Sequence, residues 1–291
     1  MKKNDLVLSL PQRLLLFACL FILGYAITIG LTYFISMVLK SNPAAAMRIA
    51  SVIQDVVAFI IPSVATAVLV SRRPADLLRL TGGLNLTWIA LVGAVLFFSI
   101  PFAESVIYWN ENLKLPASLS EFESSLREME NRAAQTSALL MSNPSVPALI
   151  VNILIIGVGA GVAEEILFRG CFQRLLVTGG INHHVAIWCV AFIFSAIHFQ
   201  FFGFVPRMLL GAYFGYLMYW SKSVWIPAIA HTLNNTMVVI TAWGQVRMHP
   251  DQPLDTSASL SPTWLIVVSV VLTAATIGLM YIHARKLPKY Q

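Results

Sequence analysis

Three short polar patterns interrupt otherwise apolar stretches, and each holds groups capable of acid–base chemistry. The first is Glu164 and Glu165 followed by Arg169, the second is Phe194 followed by His198, and the third is His231 followed by Asn235. An ionisable group at the centre of a membrane helix costs about 2.5–3.5 kcal/mol on insertion scales, so such groups mark function or a specific partner. Residues four apart share a helical face, so Glu165 and Arg169 can neutralise each other as an ion pair. Adjacent side chains diverge by about 100° around a helix, which leaves Glu164 facing elsewhere with no partner close in sequence. A carboxylate in a dry site suits a general base that takes a proton from water; a structural partner on another helix is the competing role for Glu164. His231 and Asn235 project from one stripe of their helix. A carboxylate, two imidazoles and a carboxamide are the parts needed for water to attack a carbonyl carbon, with a base for the water and donors for the developing oxyanion.

The elements that must position these groups are membrane helices. Of the 291 residues, 58% are hydrophobic and 11% charged, whereas a soluble domain carries roughly 25% charged residues. That composition excludes a water-exposed globule, a disordered chain and a disulfide scaffold. A bilayer core of about 30 Å needs about 20 apolar residues in helical form, because backbone polar groups cannot go unpaired in lipid. Segments near 14–39, 50–70, 88–108, 147–177, 184–201, 206–221, 224–243 and 263–283 meet or approach that length. The expectation is an all-α polytopic bundle of about eight transmembrane helices. The fourth to seventh of these should enclose a water-containing cavity reached from the inner face. Asp55 and Glu104, near the ends of the second and third spans, are expected to be structural.

Basic residues set the orientation. Eleven Lys and Arg, including Lys2, Lys3, Arg13, Arg79, Lys222 and Lys289, fall on the side of the termini, against seven on the other, which predicts both termini in the cytoplasm. The net charge of +6 follows this pattern and does not point to nucleic acid. The largest polar excursion, 110–145, predicts an amphipathic helix on the outer surface, with Ser120 and Glu123 at capping-box spacing and Phe122, Leu126 and Met129 on one face. Residues 73–86 predict a short interfacial helix and turn on the inner face. Cys19, Cys171 and Cys189 form no CxxC pair and support neither a disulfide framework nor a zinc knuckle. The run Gly157, Gly159, Gly161 and the pair Gly211, Gly215 favour close helix contacts. Val162 stands where a dinucleotide fingerprint would need glycine, so cofactor binding is not expected.

Taken in order on separate helices, EExxxR (Glu164, Glu165, Arg169), FxxxH (Phe194, His198) and HxxxN (His231, Asn235) resemble the three motifs of the CAAX prenyl protease and bacteriocin-processing family of type II CAAX endopeptidase-like membrane proteins. The resemblance implies an intramembrane glutamate-type endopeptidase needing no metal or other cofactor. In it Glu164 would activate water with His198, and His231 and Asn235 would donate to the oxyanion. Glu165, Arg169 and Phe194 would be supporting members of the motifs. It further implies a peptide or lipidated-peptide substrate and a multi-pass location in the lipid bilayer, here a bacterial plasma membrane. The chain then divides into residues 1–146 with three spans and the outer loop, a catalytic core at 147–243, and a C-terminal span within 244–291. The competing readings are a zinc hydrolase built on Glu and two His, a proton-coupled transporter, and a catalytically silent scaffold or immunity protein.

Overall fold

The computed structural model describes residues 6–249, 251–252, 254 and 258–286; the basic residues Lys2, Lys3 and Lys289 lie outside the described residues. The fold is all-α, a polytopic membrane bundle, and the described residues contain no strand beyond an isolated bridge between Leu6 and Ser71. Helix α1 (Leu10–Val38) is followed by α2 (Pro43–Val70), whose start is fixed by Pro43 and by Asn42 accepting from the Ala45 amide at 3.1 Å. A single turn at Pro74–Leu77 leads to α3 (Leu86–Phe98) and α4 (Ile100–Glu111), which meet at a 51° bend. Pro101 has no amide proton and breaks the ladder there. Ser269 repairs the damage: its hydroxyl donates to the Phe98 carbonyl at 2.6 Å and accepts from the Phe102 amide at 3.2 Å.

The second half contains α5 (Ser120–Met141), the long α6 (Val146–Thr178), the short α7 (His183–Ala196), α8 (Phe204–Ser221), α9 (Trp225–Met248) and α10 (Thr263–Lys286). Among the described residues five helices are long and apolar enough to cross a membrane by themselves, or six spans if the bent α3–α4 pair is one. The sequence reading of about eight also counts α7 and α9, which this measure of length and composition leaves out. Helix α7 is too short at 14 residues, and α9 is diluted by His231, Asn234, Asn235, Gln245 and Arg247. Both are helices, and each packs one face on the bundle and leaves apolar side chains such as Phe192 and Val238 exposed.

Two buried clusters hold the bundle. Phe17, Phe59, Leu77, Leu167, Phe168, Leu175 and Phe194 pack α1, α2, α6 and α7 together. Trp88, Val92, Leu96, Phe214, Leu217, Ile226 and Met280 join α3, α8, α9 and α10. Outward faces are apolar as well, for example Leu15, Ile22, Trp264 and Val267, as lipid contact requires. At the end of the bundle that holds both termini, Gly82 meets Ser223 so closely that a β-carbon would lie 2.5 Å from the Ser223 Cβ, and the Val224 amide donates to the Arg79 carbonyl. Helix α5 covers the opposite end.

The start of α5 differs from expectation. A 3-10 turn, Ala117–Leu119, leads into it, Leu119 takes the N-cap position, and no side chain caps the helix. Glu123 instead accepts from the Leu115 amide at 2.8 Å and from Arg127 Nε at 2.9 Å. Phe122 and Met129 are exposed, and the docked face is polar: Arg127 lies 4.0 Å over the Phe202 ring, and Glu130 accepts from Gln200.

Candidate active site

Helix α6 carries the two glutamates between two π-helical segments, Ile153–Gly159 and Ile166–Gln173. Small residues set its distance from α9. A β-carbon on Gly161 would lie 2.8 Å from Thr232 Oγ1 and 2.9 Å from the Thr232 amide nitrogen, and one on Gly157 would lie 2.7 Å from Thr236 Oγ1. The two backbones touch, and α9 therefore presents His231 directly to the α6 carboxylates.

Glu165 and Arg169 form the expected pair, Oε1 to Nη1 at 2.7 Å, with both side chains wholly buried. Arg169 also donates from Nη2 to the Gly211 carbonyl at 2.9 Å and sits 4.7 Å from the Phe194 ring centroid and 5.4 Å from that of Phe214. Ion pair, carbonyl and ring faces together offset the large cost of burying a guanidinium. The same Glu165 Oε1 lies 2.9 Å from His231 Nδ1. An ionised carboxylate only accepts, so Nδ1 holds the ring proton, and Nε2 is turned toward Glu164, 3.9 Å from its Oε2. The imidazole stacks on Phe214 at 4.8 Å and meets the edge of Phe194 at 5.9 Å.

His198 follows the end of α7 and bonds through Nδ1 to the Phe194 carbonyl at 2.7 Å. A carbonyl accepts only, so Nδ1 is protonated and Nε2 is the free acceptor. Phe194 is buried between the two imidazoles, with its ring centroid 5.1 Å from that of His198. Asn235 donates to the Ile156 carbonyl at 3.1 Å, inside the first π segment of α6, and retains a second amide hydrogen.

Glu164, with 14% of its side chain exposed, faces two cavities. One of about 250 Å³ is lined by Glu164, His198, Ile197, Phe199, Gln54 and residues of α1 and α2. The other, of about 310 Å³, runs from Glu164 past Asp55 toward Ser137 and Met141 of α5. Two expectations are corrected here. The walls come from α1 and α2 in place of α8, which packs behind the site and supports Arg169 and His231 through Gly211 and Phe214. The larger cavity extends to the α5 end, opposite the termini, because α6 carries Glu164 only part-way down from that end. By the orientation read from the basic residues this is the outer side, whereas access from the inner side was expected.

Glu104 stays outside the site and accepts from Ser261. Asp55 belongs to it. It lies in the π segment Gln54–Ile60 of α2, is 6% exposed, and its Oδ2 is 2.9 Å from where a Gly159 β-carbon would be. The sequence signal was its charge within an apolar span; nothing local placed it beside Glu164, since the contact spans over a hundred residues. Among the described residues no three His, Cys, Asp or Glu side chains are grouped so as to hold a metal ion, as the zinc reading would need.

The sequence model of the type II CAAX prenyl endopeptidase Rce1-like family matches residues 146–237, from the start of α6 into α9. This stretch is similar to that family. Over 203 residues the chain is 27% identical to "Putative membrane peptidase YdiL" of Bacillus subtilis (strain 168), covering 68% of this chain and 75% of that protein. It is also 28% identical over 96 residues to "Uncharacterized protein YpbD" of the same organism, covering 32% and 44% respectively. No solved structure matches the chain. The matched stretch contains all three polar patterns, and α1 and α2, which complete the cavities, lie outside it.

Proposed function

We propose that this protein is an intramembrane endopeptidase that hydrolyses a peptide bond with water activated by Glu164 and without a metal ion. The observation that carries the reading is that Glu164 and His198, from different helices, line one cavity while the neighbouring Glu165 is held by Arg169 and His231 through its Oε1. In this mechanism water in the 250 Å³ cavity gives a proton to Glu164 and is oriented by the free Nε2 of His198. The resulting hydroxide oxygen bonds to the substrate carbonyl carbon. The oxyanion of the tetrahedral species accepts from the spare amide hydrogen of Asn235 and from His231 Nε2, which can donate when the ring is doubly protonated; the oxyanion itself then balances that charge. As the C–N bond breaks, Glu164 returns its proton to the leaving amine. General-base assistance contributes about 10²–10⁴-fold, and loss of one oxyanion donor costs about 10²–10³-fold.

The substrate is a peptide, in keeping with the peptidase name of the Bacillus relative and the family of the matched domain. Both termini are proposed to be cytoplasmic and the membrane to be a bacterial plasma membrane. The test is cleavage of a peptide library by purified protein in detergent. The wild type should cut, and Glu164→Gln should lose at least a hundredfold in kcat/KM while eluting and melting like the wild type. Unimpaired cleavage by Glu164→Gln would overturn the reading.

A further inference from the structure

The larger cavity has a composition that the hydrolytic mechanism does not use. Its polar lining is Ser51, Gln54 and Asp55 of α2 beside Glu164, its apolar lining includes Ile155, Val238 and Val239, and no Lys, Arg or His lines it among the described residues. Asp55 is more than nine-tenths buried, yet it forms no hydrogen bond or ion pair with any described residue, and its carboxylate is aimed into this cavity against the α6 backbone at Gly159. Buried carboxylates are ordinarily paired, because taking a lone charge out of water costs several kcal/mol or more. In the same bundle Glu165 has Arg169 and His231, and Glu130 has Gln200. Asp55 has no such partner among the described residues, and the missing counter-charge is what a ligand can bring.

We propose that the Asp55 cavity is a specificity subsite for a positively charged side chain, Lys or Arg, of the peptide substrate, a reading that rests on the peptidase function above. The apolar wall takes the methylene stem and Asp55 pairs with the charged tip. Long basic side chains pack in just this divided manner, stem on apolar surface and head on a polar partner. Glu164 adds attraction from the cavity end without pairing directly, which leaves it free to act on water. A hard inorganic cation is a poorer match, since calcium takes 6–8 oxygen ligands and magnesium keeps near-octahedral oxygen geometry, and half of this cavity is hydrocarbon. The volume of about 310 Å³ admits one extended side chain.

The experiment compares peptides in which a Lys is moved through each position around the cleaved bond with matched peptides carrying norleucine there. Wild-type protein should prefer Lys at one position by at least tenfold in kcat/KM. Asp55→Asn should collapse that ratio toward one, and Asp55→Glu should restore part of it, which a variant harmed only in folding would not do. Asp55→Asn lowering both peptides equally, with the ratio kept, would overturn the subsite and make Asp55 a partner of Glu164 in proton handling. Binding to Glu164→Gln, read by fluorescence anisotropy of labelled Lys and norleucine peptides, separates the two proposals. If the wild type cleaves nothing but the Lys peptide still binds at least tenfold tighter in an Asp55-dependent way, the peptidase reading fails and the cation subsite stands. Equal binding of both peptides overturns the subsite whatever the activity.

Discussion

His231 reaches Glu165, not Glu164, with its protonated nitrogen: Nδ1 is 2.9 Å from Glu165 Oε1, and Nε2 is 3.9 Å from Glu164 Oε2. One glutamate of the adjacent pair thus fixes the tautomer and angle of the imidazole, and the other is left to the cavity. The division follows from the roughly 100° between neighbouring side chains on α6 combined with the close approach of α9 at Gly161.

The Glu165–Arg169 pair should behave as a structural keystone. Removing one member of a buried pair leaves the other charge uncompensated and costs about 3–5 kcal/mol. Arg169→Ala is therefore expected to unfold at markedly lower denaturant in detergent, and Arg169→Lys to recover little, because a lysine cannot serve Glu165 and the Gly211 carbonyl together. Wild-type-like unfolding of Arg169→Ala would contradict this account.

Gly161 should be intolerant of any side chain. An alanine β-carbon there meets the Thr232 amide nitrogen at 2.9 Å and its Cα at 3.1 Å, so the helices must part. Gly161→Ala is expected to lower kcat by tenfold or more and to speed hydrogen exchange in the first turns of α9. Gly30, with nothing within 4 Å of its β-carbon site, supplies the control, and Gly30→Ala should match the wild type in both measurements.

The attachment of α5 should weaken in acid. Bonds from the Leu115 amide and from Arg127 hold the Glu123 carboxyl below the usual carboxylate range. A group with a lowered folded pKa stabilises the docked form above its unfolded value near 4, and that contribution is lost as pH falls through the lower folded value. Burial moves Glu130 the opposite way, above its usual range, so its ionisation disfavours docking as pH rises through that raised value. Protection of the amides across 113–130, taken relative to their intrinsic exchange at each pH, should be greatest between these two limits; a flat protection profile from pH 3 to 7 would remove both carboxyls from the docking of α5.

Peptidase activity should survive metal removal. Dialysis against a strong chelator is expected to leave kcat/KM within twofold of the untreated protein. Loss of activity restored by one equivalent of zinc would instead establish the zinc hydrolase reading.

Much of the candidate site was legible because its members lie at fixed helical spacing. Glu165 with Arg169 and His231 with Asn235 are neighbours on one face wherever the helix sits, and an apolar context made each polar residue conspicuous. The number of spans was harder to read. Helix α7 is short, and α9 carries polar residues that only the surrounding helices make tolerable inside the bundle. The capping box at Ser120 failed because a 3-10 turn precedes α5, and the Leu115 amide competes for the same Glu123 carboxylate.

The sequence by itself determined an all-helical membrane protein, the shared helical face within each motif and the glycines that permit close contact, because these depend on composition and on a local period of 3.6 residues. Only the tertiary structure decided which glutamate meets His231, that α1 and α2 wall the cavities, and that Asp55 stands unpaired beside Glu164. Those relations depend on the rotation and depth of one helix against another, which packing between residues far apart in the chain sets and no local pattern encodes.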